Sequence, residues 1–243
     1  MTELVLGLLG SGEFQPWAAE VDRALLRRAR TGDGRVLVLP TASAPEGEAV
    51  FGRWAAMGLA HYERLGVPAE LLAIRTREDA ADPAHVARLA AASLVFCSGG
   101  DPAYLAATFS ASPFWSALLD GLDRGLAFGG CSAGIQCLGE RALDPSGGVL
   151  RADVWRPGLG VFTGVWFAPH WDALDRHVPG LSGFIGDSVP AQDLLFAIDE
   201  DTAVVGDGED WRVIGAGAAR IRKDGAWAVH PSGSRFTRTL PRG

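Results

Sequence analysis

Leu126-Ala127-Phe128-Gly129-Gly130-Cys131-Ser132-Ala133-Gly134 joins a short apolar run to a Gly-x-Ser-x-Gly turn spanning Gly130 to Gly134. A nucleophile on a sharp strand-to-helix turn sits in strained backbone, and the residues two before and two after it need almost no side chain. Gly130 and Gly134 meet that need for Ser132. The turn predicts a Ser132 hydroxyl standing above the end of a sheet. It also predicts an Ala133 N–H aimed at the place where an oxyanion forms. The run from Ile135 to about Glu140 reads as the helix that follows, with its positive N-terminal end at the same spot. Such a pentapeptide also occurs as an ordinary tight turn, so its meaning depends on context.

Apolar runs and helical runs alternate on both sides of the turn. Val5–Leu9, Arg35–Leu39, Leu71–Ile74, Leu94–Cys97 and Leu126–Phe128 read as strands. Trp17–Ala29, Glu48–Leu65, Pro83–Ala92, Ala103–Phe109 and Phe114–Arg124 read as helices, with Asp82 as an N-cap. The strands do not alternate in polarity, which is the pattern of strands covered on both faces. An α/β fold follows, three-layered, with a mostly parallel sheet and helices on both sides. After Val149 the helical period fades. Phe196–Ile198, Thr202–Val205, Val213–Gly215 and Ala218–Ile221 are short strands, expected to form an antiparallel extension on one sheet edge over about residues 196–230. Trp211 and Trp227 are expected to cover that edge.

The chain has 243 residues, a length that suits a single domain over 1–243. Apolar residues make up 48%, enough for a substantial core, and the formal net charge of −7 argues against a nucleic-acid partner. No apolar run approaches the ~18 residues of a membrane span. Met1-Thr2-Glu3-Leu4 lacks the basic start of a signal peptide. The three cysteines, Cys97, Cys131 and Cys137, have no metal-type spacing and read as reduced, buried thiols of a cytoplasmic protein.

A second glycine-rich strand end, Phe96-Cys97-Ser98-Gly99-Gly100-Asp101, points to the same end of the sheet, where ligands gather in parallel folds. A backbone N–H of Gly99 or Gly100 is positioned to be a second oxyanion donor, while Asp101 also suits a helix cap. A nucleophilic serine needs a base. Of the five histidines, His61 and His85 fall in helical runs and read as surface residues, and His177 and His230 lie in loop-like or C-terminal contexts. His170 ends the apolar run Val165-Trp166-Phe167-Ala168-Pro169 and is the candidate base. Glu140, Asp144, Asp153 and Asp172 are all open as its orienting acid. Gly7 to Gly12 has the wrong glycine spacing for a dinucleotide loop. Cys131 is a rival nucleophile, but the glycines centre the turn on Ser132.

Taken together, these segments resemble the peptidase family that contains aspartyl dipeptidase (peptidase E) and cyanophycinase, serine hydrolases on a class I glutamine-amidotransferase-like, flavodoxin-like α/β fold. The resemblance rests on Leu9 to Phe14, Pro40 to Ser43, Phe96 to Leu105, Gly130 to Gly134, Pro157 to Gly160, Ala168 to Trp171 and Ala197 to Ala203. It implies Ser132 as nucleophile, His170 as base, and Gly100 with the Ala133 N–H as oxyanion hole. It implies an acid between serine and histidine, for which Asp144 is the nearest match. Gly99, Asp101 and Arg176 are the expected substrate contacts, with Arg151 and Arg156 as further cations for an acidic substrate group. Cyanophycinases carry Asp-Gln-His-Phe where this chain has Ala168-Pro169-His170-Trp171, while aspartyl dipeptidases share the proline. The implied activity is hydrolysis of a small peptide or amide through an acyl-enzyme, without metal or cofactor. A non-catalytic binding protein of the same fold and a Cys131-dependent amidotransferase-like enzyme are the alternatives. Exposed strands of the extension allow a homodimer without requiring one.

Overall fold

The computed structural model describes residues 3–243; Met1 and Thr2, which open the segment read as lacking a signal sequence, lie outside it. In chain order the strands are β1 (Leu6–Leu9), β2 (Arg35–Leu39), β3 (Ala69–Leu71), β4 (Ala92–Cys97), β5 (Ala127–Cys131), β6 (Arg141–Leu143) and β7 (Trp155–Pro157). They continue with β8 (Val165–Ala168), β9 (Leu194–Ile198), β10 (Thr202–Gly206), β11 (Asp210–Gly215), β12 (Ala218–Lys223), β13 (Ala226–Pro231) and β14 (Arg235–Thr237). The α-helices are α1 (Ala19–Arg28), α2 (Glu48–Arg64), α3 (Pro83–Arg88), α4 (Pro102–Phe109), α5 (Pro113–Arg124), α6 (Ala133–Gln136), α7 (Leu174–His177) and α8 (Leu181–Ser188).

Eight strands form the main sheet in the order β14-β11-β10-β1-β5-β4-β2-β3. Strands β1, β5, β4, β2 and β3 run parallel, and β10, β11 and β14 continue the sheet antiparallel beyond β1. Side chains divide by the period of two. Leu37, Leu39, Val95 and Phe128 enter one apolar cluster together with α4 and α5 residues such as Leu105 and Leu118. Val36, Val38, Leu94 and Phe96 enter the cluster on the opposite face, with Val21 and Leu25 of α1 and Tyr62 of α2. Helix starts repeat one device, a polar cap followed by proline. Asp82, Asp101 and Ser112 accept from the N–H of Ala84, Tyr104 and Trp115, and Pro83, Pro102 and Pro113 follow them.

The C-terminal strands do not form a single edge extension. They divide between two sheets: β10, β11 and β14 join the main sheet, while β13-β12-β9-β8 is a separate four-stranded sheet. Phe167, Phe196 and Ile221 of the second sheet pack into the first apolar cluster, and Trp166, Ala168 and Leu195 on its other face pack on Leu181 and Ile185 of α8. Each face therefore has its own cover, and the chain crosses from the second sheet to the first in the Asp199–Asp201 turn between β9 and β10.

Other elements shift from expectation. The strand expected at Leu71–Ile74 forms at Ala69–Leu71, and the helix expected from Ile135 to Glu140 is the single turn α6. Trp211 is buried as expected, while Trp227 is 44% exposed and packs its ring on Trp171 at 5.2 Å between centroids. His61, expected at the surface, is buried. Its Nε2 meets Asp22 Oδ2 at 2.7 Å and its Nδ1 meets the Phe14 carbonyl at 3.1 Å, because α2 turns this position toward the sheet. All three cysteines are unpaired and buried. Among the described residues, no helix is long and apolar enough to cross a membrane.

Candidate active site

Ser132 leaves β5 and opens α6 with φ 51° and ψ −109°, a conformation L-residues rarely adopt. Such strain costs about 1–3 kcal/mol and persists only where the surroundings enforce it. The enforcement is visible. The Ser132 N–H donates to the Leu9 carbonyl at 3.1 Å, and the Ser132 carbonyl accepts from Ile135 and Gln136. A side chain on Gly130 would strike the Gly134 carbonyl at 2.6 Å, and one on Gly134 would overlap the Cys97 carbonyl. The two glycines thus allow β5, α6 and the end of β4 to approach closely enough to hold the turn.

His170 lies two residues beyond the end of β8, also in the left-handed region at φ 55°. Its Nε2 is 3.0 Å from Ser132 Oγ. Its Nδ1 is 3.1 Å from Oε1 of Glu200, in the turn that links the two sheets. A carboxylate acceptor at Nδ1 selects the tautomer that carries its proton there, leaving Nε2 as acceptor for the serine hydroxyl. Glu200 is held in turn. Its N–H donates to Asp172 Oδ1 at 2.8 Å, and its Oε2 accepts from Arg176 Nη2 at 3.3 Å. His177 Nε2 stands 3.7 Å from Oε1. Ser132, His170 and Glu200 thus stand in one hydrogen-bonded series, the order of hydroxyl, imidazole and carboxylate that is able to activate a hydroxyl for attack on a carbonyl.

Asp144, the acid expected from the resemblance, does not reach His170. Its carboxylate is taken by Ser146, by Arg156 Nη2 at 2.9 Å and by Arg151 Nη2 at 3.4 Å. The Ser146 hydrogen bonds and then the two arginines hold its carboxyl below the ordinary aspartate range. Asp144 lies just past β6, in the β6–β7 hairpin, whereas His170 leaves the second sheet. Glu140 accepts from the Gly164 N–H, and Asp153 pairs with Arg151 at the surface. Arg151 and Arg156 are thereby both engaged by Asp144, and of the three expected cations Arg176 alone borders the Ser132–His170–Glu200 chain.

The glycine-rich loop after β4 reaches Ser132. A Cβ on Gly99 would lie 3.4 Å from Ser132 Cβ. The Gly99 N–H is itself occupied, donating at 2.9 Å to Oε1 of Glu13. Gly100 has φ 144° and is pressed against the Ala42 carbonyl, so a side chain there would overlap it. The N–H groups of Gly100 and Ala133 have no acceptor among the described residues. Asp101 caps α4 through the Tyr104 N–H at 2.9 Å, and burial raises its carboxyl pKa. Its neighbouring cleft, shared with Tyr104, Asp144 and Arg156, includes neither Ser132 nor His170.

Glu13 and Glu200 escaped the reading of the sequence. Glu13 is buried, and its Oε2 accepts from the Cys131 thiol at 2.8 Å. Its signal was present: an acid directly after the glycine turn that ends β1, at the ligand-binding end of a parallel sheet. Glu200 was marked only by the run Asp199-Glu200-Asp201 after a strand. Burial, followed by the Glu13 charge, pushes the Cys131 thiol well above its ordinary range. Among the described residues, no His, Cys, Asp and Glu side chains are grouped to hold a metal ion.

The model for Peptidase family S51 matches residues 6–214. A cyanophycinase of Nostoc sp. (strain PCC 7120 / SAG 25.82 / UTEX 2576) is 28% identical over 227 residues, covering 90% of this chain and 74% of that protein. A cyanophycinase of Trichormus variabilis (strain ATCC 29413 / PCC 7937) matches at the same identity and coverage. The crystal structure of a peptidase from an acI-B1 Actinobacterium superposes with a TM-score of 0.88 at 30% identity, covering 97% of both chains. A putative peptidase E protein from Listeria monocytogenes EGD-e shares the fold at a TM-score of 0.62 and 15% identity, covering 88% of this chain and 98% of that one.

Proposed function

The chain belongs to peptidase family S51, and from that premise we propose that it is a serine hydrolase of a small peptide or amide, with Ser132 as nucleophile, His170 as general base and Glu200 as the acid that orients it. The observation that carries the reading is the contact series Ser132 Oγ to His170 Nε2 at 3.0 Å and His170 Nδ1 to Glu200 Oε1 at 3.1 Å, built on a serine with positive φ.

Ser132 Oγ attacks the substrate carbonyl carbon as its proton passes to His170 Nε2. The charge that develops on the carbonyl oxygen meets the unengaged N–H groups of Gly100 and Ala133. The tetrahedral adduct then collapses. The C–N bond breaks, and the leaving amine takes the proton from Nε2. Water repeats the sequence on the acyl-enzyme, releasing the acid and restoring the serine. Glu200 holds the ring and balances the imidazolium charge at each stage.

Cys131 is a poor rival. Its thiol is buried, is held as a donor to Glu13, and has its pKa raised. Relatives named cyanophycinase and the peptidase E resemblance make Asp-X and isoaspartyl dipeptides the first substrates to screen, with Arg176 as the cation nearest the reacting groups. Three unpaired cysteines suit a reducing, cytoplasmic setting.

The test is intact-mass spectrometry after treatment with a fluorophosphonate. The expected result is one adduct on the wild type and none on Ser132→Ala or His170→Ala. A folded wild type that takes no adduct and cleaves none of the dipeptides would overturn the reading.

A further inference from the structure

We propose that Glu13 is a positioning residue for the oxyanion hole, clamping the two strand ends that carry its donors through one buried carboxylate. The proposal rests on the hydrolase reading above and extends it to a side chain that touches neither substrate nor the reacting atoms.

Glu13 is 5% exposed and spans two elements. Oε1 accepts the Gly99 N–H at 2.9 Å at the end of β4, and Oε2 accepts the Cys131 thiol at 2.8 Å at the end of β5, next to Ser132. Two residues after Gly99, the Asp101 N–H donates to the Ala42 carbonyl at 2.8 Å. The loop is therefore tied at Gly99 and at Asp101. The intervening Gly100 N–H is the one left without an acceptor among the described residues. Fixing the peptides on either side fixes the direction of that N–H, which is what a preorganised donor requires. A buried carboxylate is costly to hold unless its oxygens are hydrogen-bonded. Here they are bonded to the two residues that flank the nucleophile in space. The high thiol pKa of Cys131 keeps its proton in place as a donor to Oε2.

The loop that delivers Glu13 is itself over-determined. Phe14, the next residue, has φ 64°, and its carbonyl is held by the buried His61. Glu13 thus has little freedom to follow a displaced Gly99; the loop must follow Glu13.

The experiment measures fluorophosphonate inactivation of the full chain, resolved into the binding constant KI and the rate kinact, for wild type, Glu13→Ala, Glu13→Gln and Glu13→Asp. Positioning predicts that Glu13→Ala lowers kinact at least tenfold with KI within threefold. Glu13→Gln, which keeps an acceptor at full reach, restores kinact to within threefold of wild type. Glu13→Asp keeps the charge but shortens the reach, and stays slower than Glu13→Gln. A kinact for folded Glu13→Ala equal to wild type overturns the proposal. If Glu13→Ala does not fold, the order of the other two decides: Asp faster than Gln would mean that charge, not placement of the acceptor, is what matters, and the proposal falls. A wild type that is never labelled would instead strike at the hydrolase reading itself.

Discussion

Glu200 stands 3.1 Å from His170 although thirty positions separate them, because β8 and β9 pair in parallel with Ala168 opposite Ala197. His170 and Glu200 are the second and third residues beyond those partners, so a parallel register delivers both to one sheet end. Trp171 N–H donating to the Ile198 carbonyl at 3.0 Å extends the pairing to the histidine itself.

That register makes the acid assignment testable. Glu200→Gln should lower the fluorophosphonate labelling rate by about 10²–10⁴-fold, the scale at which loss of the orienting carboxylate acts on a triad histidine. Asp144→Asn should change it less than threefold, since Asp144 serves Ser146 and two arginines. The reverse ranking would return the role to Asp144.

Gly100 has both a positive φ and no room for a methyl group. Gly100→Ala should displace the loop and reduce labelling more than tenfold while the helical far-UV circular dichroism persists. Labelling at the wild-type rate would mean that this N–H takes no part.

His61 and Asp22 form a buried pair at 2.7 Å, and Tyr62 donates to the second Asp22 oxygen at 2.9 Å. His61→Ala removes one partner and leaves a buried carboxylate short of a donor. The expected loss is about 3–5 kcal/mol in urea unfolding. A loss below about 1 kcal/mol would show that solvent or Tyr62 replaces the imidazole.

Burial raises the pKa of Cys97 to about 12, and those of Cys131, Cys137 and Tyr62 well above their ordinary values. The unfolded chain releases these protons near pH 9–10, whereas the folded chain keeps them, so the folded state binds more protons there. Stability is therefore full below the unfolded values and falls as pH rises past about 9, by at most about 1.4 kcal/mol per pH unit for each group. Urea midpoints between pH 8 and 10.5 should fall steadily, and a flat profile would contradict the burial. At pH 8 iodoacetamide should leave the folded protein unmodified and add three groups once it is denatured.

The sequence carried the local chemistry well. The Ser132 turn, the helix caps at Asp82 and Asp101 and the strands β1, β2, β4 and β5 follow from glycine spacing, proline placement and apolar runs, all of which act over a few residues. What it did not carry is the partner of β8. Val165–Ala168 is legible as a strand, but its pairing with Leu194–Ile198 is a contact across some thirty residues, and no periodicity reports which strand lies beside which. The contact of Glu200 with His170 was invisible for that reason, and Asp144, nearer along the chain, was the expected neighbour. His61 failed for a related cause: a polar residue on a helix is read as exposed unless its buried carboxylate, thirty-nine residues away, is known.

Ser132 leaves the main sheet, whereas His170 leaves the second sheet and Glu200 lies in the crossing between them. During synthesis the serine emerges long before either partner, on a chain whose second sheet has not yet assembled. The contact series from Ser132 to Glu200 can therefore close only when β9 has docked beside β8 and the chain has crossed back through Glu200, so on the proposed reading the site is completed by the last third of the chain to be made.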